Sequence, residues 1–169
     1  MSQKVKIISG PRDSGKTRAA AALASSFRRK GLRVGGVLSE AEMRFGVKMS
    51  YAFVDLASGE RSRYAVRRAG PIPPGELAFE FLSGGLDFGK RAIRGAVEAG
   101  VDAVFVDELG PLERGGGGLW EAVLELRGGF AGEIILTVRE GLLDEFVRKL
   151  EVGQGEWEML DPRDAPPEP

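Results

Sequence analysis

The chain contains no cysteine and no histidine. Disulfides, thiol nucleophiles, imidazole bases and Cys/His zinc sites are therefore excluded. Asparagine is absent as well, and glutamine occurs only at positions 3 and 154. Any catalysis must come from carboxylates, lysine, arginine, hydroxyls, backbone groups or a borrowed metal. Excess charge of either sign is also missing: 24 Lys plus Arg face 25 Asp plus Glu. The overall balance thus indicates neither nucleic acid nor an anionic membrane as a partner, and says nothing of a protein partner. Long apolar runs are lacking too. The opening KVKIIS is too short to span a bilayer or to act as a signal, which leads to the expectation of a cytoplasmic protein.

What is present is a rhythm of short apolar runs and amphipathic stretches over 169 residues, a length suited to one domain. VKIIS reads as a buried strand running into a glycine loop, and TRAAAALASSFRRKG as a helix with Ala20, Leu23, Ala24 and Phe27 on one face. VGGVLSE is a second strand, and SYAFVDLASGERSRYAVRR is a hairpin turning at ASGE. Beyond the proline-rich GPIPPGE come the helix LDFGKRAIRGAVEAG, the strand VDAVFVDELG, the helix LWEAVLELR, the strand GEIILTV, the helix LLDEFVRKL and a short strand EWEML. Such alternation predicts an α/β fold: three layers, a mostly parallel sheet and an antiparallel hairpin addition. Residues 1–160 form the expected single domain, with 161–169 a solvated tail.

The first chemical signal is GPRDSGKT, followed by Arg18. Gly10, Pro11, Arg12, Asp13, Ser14, Gly15, Lys16, Thr17 and Arg18 make up the candidate nucleotide-binding stretch. Glycines let backbone N–H groups wrap an anion, and the following helix N-terminus adds partial positive charge. Lys16 would reach the terminal phosphates as a catalytic cation, and the Thr17 hydroxyl would hold Mg²⁺. A chance match in so glycine-rich a chain has odds of roughly one in a hundred, and chance would not also set it between a strand and a helix. Asp13 is the awkward residue. Its carboxylate either points into solvent or faces the γ-phosphate and repels it.

The second signal is AVFVDELGPLE. An apolar strand ending in Asp107 sets a carboxylate beside the loop of a parallel sheet, where it would hold Mg²⁺ opposite Thr17. Glu108 would face the other way and polarise a water, making it the candidate general base. Acidic pairs at strand ends also simply cap turns; the pairing with a phosphate loop some ninety residues upstream is what gives this one chemical meaning.

Together GPRDSGKT, VFVDELGPLE and their separation resemble the thermophile-type nucleoside-triphosphatase family, which includes the human cancer-related nucleoside-triphosphatase. GGVLSEAEMRFGVKMSYAFVDLASGE and WEMLDPRD resemble further segments of that family, through Glu42, Met43, Arg44, Lys48, Tyr51, Arg163 and Asp164. The resemblance spans nearly the whole chain. It implies a RecA-like P-loop fold and Mg²⁺-dependent hydrolysis of ATP, GTP and other nucleoside triphosphates with loose base preference. Glu113 matches a family glutamate. Three positions depart from the family: Asp13 stands where glycine is usual, Thr17-Arg18 where two hydroxyl residues follow the lysine, and Ser50-Tyr51 where Gly-Phe is usual. The first bears on turnover. Arg44 and Lys48 are candidates to stabilise γ-phosphate charge, against the ordinary alternative of solvated hairpin cations.

Two other readings stay open. A kinase for a nucleotide or small metabolite would use Arg67 and Arg68 on phosphates and PIPPGELAFEFLSGG to wall an acceptor pocket. A slow-turnover, nucleotide-dependent regulatory module is the reading that Asp13 favours.

Overall fold

The computed structural model describes residues 3–167. In chain order the elements are β1 (Lys4–Gly10), α1 (Lys16–Arg29), β2 (Val34–Arg44), β3 (Val47–Asp55), β4 (Arg61–Arg67), β5 (Phe79–Phe81), α2 (Ser83–Glu98), β6 (Ala103–Leu109), α3 (Pro111–Arg114), α4 (Trp120–Gly129), β7 (Glu133–Arg139), α5 (Leu143–Lys149) and β8 (Trp157–Leu160). One eight-stranded sheet runs in the order β5-β4-β3-β2-β6-β7-β1-β8. From β2 to β8 every pairing is parallel, and β2 through β5 pair antiparallel. The expected fold class, a mostly parallel sheet with an antiparallel addition, is what is found.

Alternation along the central strands builds two cores. Ile8, Phe105 and Ile135 point to one face, where Ala19, Ala20, Ala24 and Phe27 of α1 cover them. Val104, Val106, Ile134 and Leu136 point to the other, against α2, α4 and α5. Strands covered on both faces read as near-continuous apolar runs, which is why β1, β6 and β7 were visible in the sequence. Phe27 meets Phe105 edge-on at 6.0 Å. Such a pair contributes about 0.5–1.5 kcal/mol beyond its buried area and pins α1, and hence the loop before it, to the sheet.

Two features differ from the sequence reading. β2 continues to Arg44 and turns back at once through Phe45 and Gly46, both with positive φ (49° and 74°). Two successive left-handed residues give the hairpin turn that matches strand twist, but its usual signature is Asn-Gly, not Phe-Gly. Phe45 is 98% exposed at the tip. The other is the pair of short elements β5 and α3, of three and four residues, too brief for periodicity to mark. Toward the C-terminus, Asp161 caps a single 3-10 turn at Pro162–Asp164, and Ala165 packs against the α1 core. Glu168 and Pro169, at the end of the expected tail, lie outside the described residues. Among the described residues no helix is long and apolar enough to cross a membrane.

Candidate active site

The register sets Gly10 at the end of β1 level with Arg139 at the end of β7, and Leu109 of β6 level with Val138. The carboxyl ends of three adjacent parallel strands therefore share one edge, the usual ligand crevice of such sheets. From Gly10 the chain turns through Asp13 (φ 59°) and Gly15 (φ 86°) into α1. A Cβ on Gly10 would fall 2.6 Å from the Ser14 hydroxyl, so a larger residue there would have to displace that side chain. Lys16 Nζ donates to the carbonyls of Gly10 (3.2 Å) and Pro11 (2.7 Å), holding the cation across the loop. Burial lowers its pKa, with nearby carboxylates opposing. The Ser14 hydroxyl is buried and has no hydrogen-bond partner among the described residues, an orphan polar group in the cradle itself.

Opposite the loop, β6 breaks register between Val106 and Leu109. Such a bulge re-aims side chains, and here it sets Asp107 and Glu108. Asp107 is only 1% exposed. Its Oδ2 accepts the Thr17 hydroxyl at 2.7 Å and the Ser39 N–H at 2.9 Å, and its Oδ1 accepts the Thr137 hydroxyl. Burial nevertheless raises its pKa, the hydrogen bonds only partly offsetting the lost hydration. Glu108 has φ 69°, a left-handed conformation held by its N–H donating to Thr137 Oγ1 at 2.8 Å. Its pKa is raised first by burial and then by the Asp107 charge. The cleft between loop and strands has a volume of about 730 Å³, and Lys16, Thr17, Ser39, Lys48 and Glu108 line it.

Asp13 through Arg18 of the expected nucleotide-binding stretch line this cleft. Gly10 and Pro11 serve Lys16 through their carbonyls, and Arg12 turns to a neighbouring cavity. Asp13, expected either to point into solvent or to face the γ-phosphate, is largely exposed and ion-paired with Lys48 from β3. That hydrogen bond and charge hold its carboxyl below the usual range. Arg44 is not brought to the site. It stands exposed at the hairpin tip opposite Val47, while Lys48 is the hairpin cation that reaches the loop. Glu113 is buried, its two oxygens accepting the N–H groups of Gly110 (3.1 Å) and Leu119 (3.2 Å), so it organises the segment behind β6. Sequence reading missed Ser39, Thr137 and Arg139. Thr137 is a lone polar residue inside an apolar run, a pattern that flags a buried polar partner, whereas Ser39 leads into the polar Glu40-Ala41-Glu42 and carries no such mark.

The family model described as NTPase matches residues 6–162. The chain belongs to the NTPase family. This family member is 33% identical over 110 residues to the nucleoside-triphosphatase THEP1 of Pyrococcus abyssi. That likeness covers 63% of this chain and spans 58% of the relative's length. The solution structure of a human cancer-related nucleoside triphosphatase superposes on this NTPase-family chain with a TM-score of 0.69 at 18% identity, covering 95% of this chain and 88% of the other. At that identity the likeness speaks for the fold.

Proposed function

We propose that the chain hydrolyses nucleoside 5'-triphosphates, ATP and GTP among them, to the diphosphate and phosphate, using Mg²⁺ and acting in the cytoplasm. One observation carries this reading: Thr17 of the loop and Asp107 of β6, ninety positions apart, meet at 2.7 Å in a cleft that also holds Lys16 and Glu108. The donor set fits Mg²⁺. Among the described residues no three His, Cys, Asp or Glu gather into a cage, and Mg²⁺ is the cation that takes one or two protein oxygens and completes its shell with phosphate and water. Thr17 and Asp107 would hold it, and when bound it neutralises charge developing on the phosphates. The buried Asp107 charge would gain a partner that the protein alone does not supply.

The chain's own groups do the rest. Loop N–H groups and Lys16 bind the terminal phosphates, Lys16 exchanging two carbonyl contacts for phosphate oxygens. Glu108 accepts the proton of the attacking water, its raised pKa making it a better base than a solvated glutamate. Phosphate release from purified protein with several nucleoside triphosphates and Mg²⁺ tests the reading. Glu108→Gln should lower kcat by about 10²–10⁴, and full activity in that variant would remove Glu108 from the role of base. The slow-turnover reading rested on the Asp13 carboxylate; its pair with Lys48 sets an opposite charge beside it and weighs against that reading. The kinase reading gains an observation, a second cavity that shares Glu108.

A further inference from the structure

Glu108 and Tyr51 are walls common to two cavities. One is the triphosphate cleft. The other, about 180 Å³, is enclosed by Tyr51, Tyr64, Phe79 and Phe81, with Pro111 and Leu112 at the segment after β6 and Arg12 and Arg139 beside Glu108. Its aromatic wall is fixed: Tyr51 meets Phe79 edge-on at 5.1 Å, and Tyr64 is stacked from behind by Phe53 at 3.8 Å. Arg12 and Arg139 stand exposed at its rim and have no side-chain hydrogen bond or ion pair among the described residues, whereas Arg61, Arg63 and Arg68 are each ion-paired. Two guanidiniums without a direct ion-pair partner at the rim of such a cavity can receive an anion in a planar fork, Arg139 acting on Glu108 and Arg12 on Asp13 only through space. Size narrows the choice. An apolar cavity of about 150 Å³ accepts benzene, so about 180 Å³ suits a single substituted ring.

We propose that this second cavity is a phosphoryl-acceptor site for a monocyclic aromatic alcohol carrying an acidic group: the ring among the four aromatic side chains, the anion on Arg12 and Arg139, the hydroxyl on Glu108. This rests on the triphosphate reading of the first cleft. Glu108 takes the hydroxyl proton, and the hydroxyl oxygen bonds to the γ-phosphorus as the bond from that phosphorus to the β–γ bridging oxygen breaks. The electron pair of that bond leaves with the nucleoside diphosphate, and the products are the diphosphate and a phosphate monoester. Hydrolysis is then the same reaction with water in the empty cavity, Glu108 serving either nucleophile.

The test uses 4-(hydroxymethyl)benzoate as probe and 4-methylbenzoate as its counterpart without a hydroxyl. Calorimetry on the whole chain should show one saturable site for each. Leu77→Trp, which adds bulk at a half-exposed lining position (45% exposed), and Phe79→Ala, which removes a wall, should each weaken binding at least tenfold. Far-UV circular dichroism of both variants should match the parent, so that lost binding is read at the cavity and not as unfolding. With ATP and Mg²⁺, ³¹P NMR should reveal a new phosphate monoester with the hydroxymethyl compound alone, and 4-methylbenzoate should slow phosphate release. Absent binding, binding undiminished in both variants, or a bound probe with inorganic phosphate as the only product each overturns the proposal. Normal probe binding with no phosphate release under any condition would instead overturn the triphosphate reading, and the acceptor role with it.

Discussion

Replacing Lys48 with alanine strips Asp13 of its partner and leaves a free carboxylate on the phosphate loop. The pair is partly exposed, Lys48 at 28% and Asp13 at 62%, so its contribution to folding stability is small, about 0.2–1 kcal/mol. Its effect on an incoming triphosphate is larger, because charge on the ligand is involved. At roughly 7 Å and an effective dielectric constant of about 60, each pair of unit charges interacts by ~0.8 kcal/mol. Against about two charges on the terminal phosphate, freeing Asp13 costs roughly 1.5 kcal/mol, near tenfold in kcat/KM. Losing the Lys48 attraction is that same loss, because in the parent the two charges cancel, so Lys48→Ala should fall by about tenfold. Asp13→Ala, in contrast, releases Lys48 toward the phosphates and should raise kcat/KM by a few-fold. The double variant should lie close to the parent, since it removes both charges. Steady-state phosphate release at low triphosphate concentration, at low and high salt, measures the cycle, and the differences should shrink as salt screens them. If Asp13→Ala loses activity, or if the double variant falls to the level of Lys48→Ala, the pair does not govern the cleft and the reasoning fails.

Buried and paired carboxylates give three further outcomes. Asp107→Asn removes a buried charge, so in metal-free buffer it should raise Tm by about 2–4 °C, while triphosphate hydrolysis falls to background; a lower Tm would show that its hydrogen bonds outweigh its desolvation. Glu113→Ala leaves the N–H groups of Gly110 and Leu119 unsatisfied in the interior and should destabilise the fold by about 2–3 kcal/mol in urea titrations; an unchanged midpoint would contradict its organising role behind β6. Asp161 is held at a pKa of about 2 by its hydrogen bonds from Arg163. A depressed folded pKa means that this stabilisation is present above the unfolded value near 3.9 and is lost as pH falls toward 2. Carboxyl NMR titration should show that low midpoint, moving up toward 3.9 in Arg163→Ala; the same midpoint in both proteins would disprove the pairing.

Legibility from sequence tracked how local the determining physics is. β1, β6 and β7 are buried on both faces, so each is a continuous apolar run that announces itself, and the loop chemistry sits within eight consecutive residues. Thr17 and Asp107 could be joined on paper because a parallel sheet brings strand ends together whatever the separation along the chain. The hairpin cation could not be chosen that way. Arg44 and Lys48 are chemically alike and four residues apart; what separates them is a turn at Phe45-Gly46 and a bulge at Glu42/Met43, which leave Arg44 at the tip and bring Lys48 back over the loop. Neither the turn nor the bulge carries a residue signature that distinguishes it from ordinary strand. Arg139 was hidden for a related reason, since a charged residue closing an apolar strand reads as a surface cap until the register sets it level with Gly10. Asp13 shows the limit most clearly. Whether its carboxylate repels a phosphate is decided not by the loop that contains it but by Lys48, a residue 35 positions away on an antiparallel strand. The departure from glycine at that position is therefore half of a pair, and it is the pair that evolution or mutagenesis would have to change together.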